Sequence, residues 1–452
     1  MKYSLIVINI LVVFTYNCVY GQDTSAVPID SSAISASEEN VYVKKQKKER
    51  HYPKLQAAQE KYLHWIDKRH REFPFGVPAI AYNKYDGVQV GAALINLKQP
   101  VKNVDFTASL LYGIKSKKVN GTVNIDYYIK PKKSVVSEIK PSLRFQSFSY
   151  YNYVKPLKYY AIHPEISIAF NHRTEKLQQL EHRLKFTSHV IMHKEIAYHA
   201  IDSVTVELKD TLTHYYVNVL NYTFKRNDKN FPFEASMTFE QSKNFVKTYF
   251  EANSFIRYQL KDYNTGVHLR FFIGGFLWRN NNYRFRLYPD VGMSLNGKRG
   301  EQDYLYNDTY FGRNEQANFA GRQITKTDGF FKVSTPLNAI EIGQTADWLM
   351  AFNFKIDFPI KYVPIKLFFD LGYSFDNHLN PINLLPMKGF QYDGGVMFSF
   401  FDEGFEIYLP LFYSKEYKTY YKANAPKFGQ RISFLFDLHK IELHKKIRGM
   451  RF

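Results

Sequence analysis

The sequence predicts an all-β fold: a transmembrane, antiparallel outer-membrane β-barrel of about sixteen strands, with fourteen to eighteen compatible, after a short N-terminal helical or disordered segment. Three observations predict it. An apolar leader opens the chain, yet no later apolar run is long enough for a membrane helix. Hydrophobicity alternates with period two over most of the remaining length. Aromatic rings are in excess, with 39 Phe and 36 Tyr among 452 residues, far more than a disordered chain carries.

Residues 1–21 read as a secretory signal peptide, with Lys2, an apolar run from Leu5 to Phe14 and a small-residue exit at Gly21. The single cysteine is Cys18. It follows Thr15-Tyr16-Asn17, a poor approach to a lipid anchor, and it rules out a disulfide framework or a cysteine zinc site. Residues 22–76 are expected to form a periplasmic tether or plug. A Ser/Ala-rich stretch (22–40) and a lysine-rich run (Val43 to Arg50) precede a short helix between Pro53 and Arg71, where Leu55, Ala58 and Tyr62 share a face. This segment is near charge balance, so the net charge of +19 resides mainly in the strand-rich remainder of the chain.

The barrel is expected over residues 77–452. Met350, Phe352, Phe354, Ile356 and Phe358 alternate with Ala351, Asn353, Lys355 and Asp357, which makes one greasy face and one polar face. The pattern repeats at 87–97, 104–115, 119–130, 138–150, 157–171, 180–194, 213–225, 231–241, 246–260, 265–278, 283–296, 365–376, 389–401, 404–413 and 428–441. Such strands exceed the usual globular length and match a tilted bilayer crossing. Charged residues of both signs fall on the polar face, among them Arg144, Lys185, Arg270, Asp357 and Asp370, as a wet or plugged lumen requires. A further candidate at 327–335 makes the count odd, whereas a barrel with both termini on one side needs an even number. That segment is therefore assigned to a loop. Tyrosines near strand ends, such as Tyr150, Tyr159 and Tyr408, suit an interfacial girdle.

The chemistry on offer is sparse. His193-Lys194-Glu195 and His199 hold the letters of a zinc motif, but their order and spacing are wrong for two imidazoles on one helical face. No phosphate loop and no nucleophile elbow occurs. No catalytic residue, cofactor or metal is therefore expected. The densest unusual segment is 297–332, where Asp303, Tyr304, Tyr310, Gly312, Arg313 and Asp328 form a candidate latch, with Arg313 pairing an acid inside the barrel. Ile432, Phe434, Phe436 and Leu438 form a candidate aromatic-ended assembly signal.

Asp303-Tyr304-x-Tyr306-Asn307-x-x-Tyr310-x-Gly312-Arg313, then Gln323 through Asp328-Gly329-x-Phe331-Lys332, then Glu406 to Leu411, resemble the membrane-associated C-terminal region of gluzincin, aminopeptidase-N-like metallopeptidases. Tyr85 to Gly91 is similar to the first strand of that region. The resemblance implies the barrel without the peptidase, because no zinc motif and no room for a peptidase domain is present.

These observations lead to three expectations. The first is a non-enzymatic outer-membrane barrel, an accessory or scaffold subunit of a cell-envelope complex. The second is a passive channel with a basic lumen. The third is a barrel-embedded hydrolase acting through Asp303, Arg313 or His193. Expected partners are outer-membrane lipids, including anionic head groups, and other envelope proteins. Nucleic acid is not expected, since the basic residues are scattered and the chain is exported.

Overall fold

A computed structural model describes residues 74–437, apart from 84, 97–102, 133, 153–154, 172–179, 201–205, 229–230, 259–264, 281–291, 298–302, 306–318, 336–341, 346, 359–363, 376–388 and 402. All of them belong to the larger of two units, residues 70–451. The expected signal peptide, tether and helix lie outside the described residues.

Eleven strands follow one another: β1 (Pro74–Asn83), β2 (Gly87–Asn96), β3 (Val104–Gly113), β4 (Lys118–Tyr127), β5 (Val136–Asn152), β6 (Lys155–Asn171), β7 (Leu180–Ala200), β8 (Val206–Arg226), β9 (Phe233–Ser242), β10 (Phe245–Arg257) and β11 (Gly266–Arg279). Three two-residue strands come next, β12 (Met293–Ser294), β13 (Gln323–Ile324) and β14 (Gln344–Thr345). The wall resumes with β15 (Trp348–Asp357), β16 (Ile365–Phe375), β17 (Gly389–Phe400), β18 (Phe405–Tyr413) and β19 (Ser433–Phe436). Helix α1 (Lys415–Asn424) lies between the last two.

From β1 to β11 every strand pairs antiparallel with the next, β11 pairs with β15, and β15 to β19 continue the pattern. Sixteen of the seventeen strands in this sheet thus form an up-and-down wall, and the chain enters β1 and leaves β19 at the same end. The seventeenth is β13, which runs parallel to β19 through Gln323↔Phe434 and Ile324↔Leu435. The architecture is the predicted antiparallel barrel.

Side-chain exposure follows the alternation. On β15, Leu349, Ala351, Asn353 and Asp357 are buried while Trp348, Phe352 and Ile356 are exposed. On β11, Arg270, Phe272 and Gly274 turn inward between the partly exposed Leu269, Phe271 and Ile273. Large apolar residues stay on the outside around the wall, including Leu110, Leu143, Phe186, Leu220, Phe352 and Leu367. Water would reject such a surface, whereas lipid solvates it.

Three elements differ from expectation. β1 carries Pro74, Gly76 and Pro78, which read as a turn, yet proline is tolerated on an edge strand whose N–H has no ladder partner. Of the candidate strand at 283–296, only β12 is formed among the described residues, and it pairs with β14 instead of the wall. The expected strand 428–441 shortens to β19, because 428–430 form a 3-10 turn. Helix α1 is an addition to the expected elements: its apolar stripe is only Tyr417, Tyr420 and Tyr421, too few positions to outweigh the surrounding period of two.

Candidate functional site, a loop locked inside the barrel

The connection from β11 to β15 turns into the interior. Leu295 accepts a backbone hydrogen bond from Phe331 at 2.7 Å and donates one to Gly343 at 3.1 Å, while Gly329 donates to Ser294 at 3.1 Å. The Asp328 carboxylate accepts from the Ser294 N–H at 3.2 Å. Met293, Leu295, Phe331, Val333 and Ile342 then pack with Tyr417, Tyr420 and Tyr421 of α1 into one buried cluster against Phe272, Leu349 and Ala351 of the wall. The helix thus covers the loop, and the Tyr417 hydroxyl donates to the Asn296 side chain at 2.6 Å.

Below this cluster lies a polar lock whose logic is in the strand register. Reading across the wall at one level, Asn253 opposes Arg270, Arg270 opposes Asn353, Asn353 opposes Asp370, and Asp370 opposes Asp393. Two carboxylates directly opposed on one inward face repel each other. The loop supplies the cation that resolves this. Lys332 is fully buried, and its ammonium donates to both Asp370 oxygens at 3.0 and 3.1 Å and to the Phe330 carbonyl at 2.6 Å. It also sits 3.9 Å from the centroid of the Phe330 ring, a cation–π contact strengthened by the lack of water. Asp393 accepts from the backbone N–H groups of Lys332 and Val333, both at 2.9 Å.

The same row holds the loop by its backbone. Asn353 donates to the Gly329 carbonyl at 2.9 Å and to Asp370 at 2.8 Å, and it accepts from Arg270 at 2.9 Å. Arg270 in turn donates to Glu251 at 2.7 Å. Ser433 of β19 donates to the Lys332 carbonyl. Lys332 and its neighbours are therefore fastened to five wall strands through β11, β15, β16, β17 and β19. Asp328 and Phe330 adopt left-handed φ values of 48° and 50°, and this tight turn lets Lys332 point down while Phe331 points back into the cluster.

Two further interior regions complete the site. A cavity of about 300 Å³ borders Arg270, Phe330, Lys332 and Lys355. Beside it, Lys355 donates to Glu403 and Glu406 at 3.0 Å each, and Lys366 donates to Glu403 at 2.9 Å. A second cavity of about 340 Å³ lies against β4 to β10 and is lined by His163, Glu165, His189, Glu240 and Tyr304 among others. Water can occupy such polar spaces.

The expected latch residues fall in separate places. Tyr304 is buried against Tyr150, Tyr159, Ile191, Val217 and Phe245, and its carbonyl accepts from the Tyr159 hydroxyl at 2.8 Å. Asp303 folds back on the N–H of Leu305 at 3.0 Å. Asp328 braces the turn ahead of Lys332. Tyr310, Gly312 and Arg313 lie outside the described residues. Of the residues that form the lock, Lys332 closes the quoted Asp328-Gly329-x-Phe331-Lys332 segment, whereas no sequence motif marks Asp370, Asp393, Asn353 or Arg270. The available signal is inward charge on neighbouring strands, but only the register brings it together.

Of the expected assembly residues, Phe434 and Phe436 are in β19 and Ile432 precedes it, whereas Leu438 lies outside the described residues. Phe434 faces away from the lumen yet is buried, because Phe319 stacks on it at 4.9 Å between ring centroids. The segment ahead of β13 therefore covers the outer face of the last strand.

No family model matches the sequence, and no curated protein matches it. Solved structures do. One is the crystal structure of BamA from Haemophilus ducreyi lacking POTRA domains 1–3, with a TM-score of 0.44 and 8% identity over 75% of this chain and 67% of that one. Another is CdiB from Acinetobacter baumannii, with a TM-score of 0.39 and 11% identity over 76% of this chain. The chain spans 57% of the length of CdiB.

The fold is an outer-membrane β-barrel. The resemblance to gluzincin metallopeptidase barrels does not hold, since the matched structures are BamA and CdiB and no peptidase family model matches. In this barrel Asp328-Gly329-x-Phe331-Lys332 turns the loop inward and sets Lys332 against the opposed carboxylates.

Proposed function

We propose that this chain is a non-enzymatic outer-membrane protein, exported through a cleaved signal peptide, that acts as an accessory or scaffold subunit of a cell-envelope complex. The observation that carries this is the lock: the interior space a channel would leave open is held by the chain's own loop through Lys332 and Asp370. Its apolar exterior suits lipid, and the excess of basic residues suits anionic head groups. No catalytic role is proposed. Asp303 is committed to the Leu305 backbone, and His193 sits edge-on between the rings of Tyr150 and Tyr215.

Ile432, Phe434, Phe436 and Leu438 are assigned as the assembly signal, and Asp303, Tyr304, Tyr310, Gly312, Arg313 and Asp328 as the latch set, of which Asp328 braces the turn ahead of Lys332 and Tyr304 is anchored apart from it. The second reading, a passive channel, draws on the two polar interior cavities, each large enough for several waters. One experiment tests the first. The tagged full chain should be recovered only in the outer-membrane fraction and bring down other envelope proteins in detergent, while a chain ending at Gln430 should fail to insert. Recovery of the full chain as a soluble, detergent-free species would overturn the proposal, and so would purification without any stoichiometric partner.

A further inference from the structure

The second cavity holds a feature that neither the lock nor the scaffold reading uses. His163 of β6 and His189 of β7 both point inward, in a register that pairs Ile162 with Val190 and Glu165 with Thr187 and so sets the two histidines opposite each other. Their Nδ1 atoms are 2.7 Å apart, and the rings meet at 71° with centroids 4.8 Å apart. Two imidazole nitrogens this close share a single proton, one ring donating and the other accepting. Both Nδ1 atoms face one gap beside the polar cavity, and a small rotation of each ring aims both at a single ion placed there.

We infer that His163 and His189 form a binding site for a divalent transition-metal ion of the zinc and copper class, entered from the polar cavity. Metal–imidazole bonds of roughly 2.0–2.1 Å around a tetrahedral ion place the two nitrogens about 3.3 Å apart. The pair therefore opens by only about 0.6 Å as the ion takes the place of the shared proton, which passes through cavity water to the Nε2 of the donating ring so that both imidazoles stay neutral. Neutral imidazole suits zinc, copper and nickel over calcium or magnesium.

The surroundings fit a cation. Glu165 and Glu240 line the same cavity, Glu165 steadied by the Thr187 hydroxyl at 3.1 Å and Glu240 by Lys247 at 2.9 Å. Asp126 is the third acid on the lining, so three carboxylates offset all but one of the four cations Lys140, Arg144, Lys185 and Lys247. Among the described residues no group of three or more protein donors converges. The site is accordingly a two-imidazole one whose remaining positions are taken by cavity water, as in open metal sites.

Copper(II) added to the full chain in detergent micelles, followed by electron paramagnetic resonance, tests this. The expected spectrum shows one high-affinity copper coupled to two imidazole nitrogens. His163→Ala and His189→Ala should each weaken it at least about tenfold, since loss of even an outer partner of a metal ligand costs that much. His182→Ala, at an exposed wall histidine bonded to Tyr222, should bind like the wild type. His163→Gln and His189→Gln serve if the alanine variants misfold, with heat-modifiable gel migration as the check on folding. Wild-type affinity in a folded double variant would overturn the inference, as would a wild-type spectrum without paired nitrogen coupling.

Discussion

Replacing Asp370 by alanine should lower the stability of the folded barrel by about 3–5 kcal/mol, the cost of leaving one member of a buried ion pair without its partner. Lys332 would keep the Phe330 carbonyl and ring but lose both carboxylate contacts while buried at the edge of the cavity. Lys332→Met alone should cost a similar amount, because Asp370 and Asp393 would then face each other with no cation between them. The double variant Lys332→Met/Asp370→Leu should recover most of the loss, since two apolar side chains of similar volume carry no desolvation penalty. A double-mutant cycle on unfolding in detergent and urea measures the coupling. Additive single effects would mean that the pair, although close, is not what holds the loop.

The second large effect is expected at Gly329. A Cβ there would sit 2.6 Å from the Leu295 Cα and 2.7 Å from its carbonyl oxygen, and neither backbone atom can swing aside. Gly329→Val should expel the 328–333 turn and cost more than the roughly 1–3 kcal/mol of ordinary overpacking, because the Lys332 contacts leave with it. Protease cleavage in residues 325–335 reads this directly: resistant in the wild type, cut within the folded barrel of the variant. Gly372 offers a milder comparison, since a Cβ there would meet the side chains of Leu295 at 2.4 Å and Phe331 at 3.0 Å, which can shift. Equal protection of Gly329→Val and wild type would place the turn outside the barrel.

The wall is legible in the sequence because its cause is local. Alternation at 346–359 assigns each side chain of β15 to lipid or lumen without knowledge of any neighbour. Counting such segments gives seventeen, the even-number requirement reduces this to sixteen, and the total equals the wall's because counting 283–296 offsets missing β1. β1 is hidden by Pro74, Gly76 and Pro78, whose usual meaning is a turn, whereas among the described residues β2 pairs with β1 along its whole length. Helix α1 is hidden because three tyrosines define a stripe only once Leu295 and Phe331 are there to receive them.

The site is legible in part. Residues 297–332 stand out by composition and length, but Lys332 is one lysine among many until β16 and β17 set Asp370 against Asp393. That opposition depends on register between strands separated by a loop, which no local pattern encodes. The histidine pair shares this property, since His163 and His189 are unremarkable in sequence and meet only across β6 and β7.

Single-channel recording in planar bilayers shows whether the barrel interior is held by its own loop. The purified wild-type protein should give no stable conductance, and steady open-channel steps should appear once Gly329→Val or Asp370→Ala releases the loop. Large, steady conductance from the wild type, unchanged by either substitution, would contradict it.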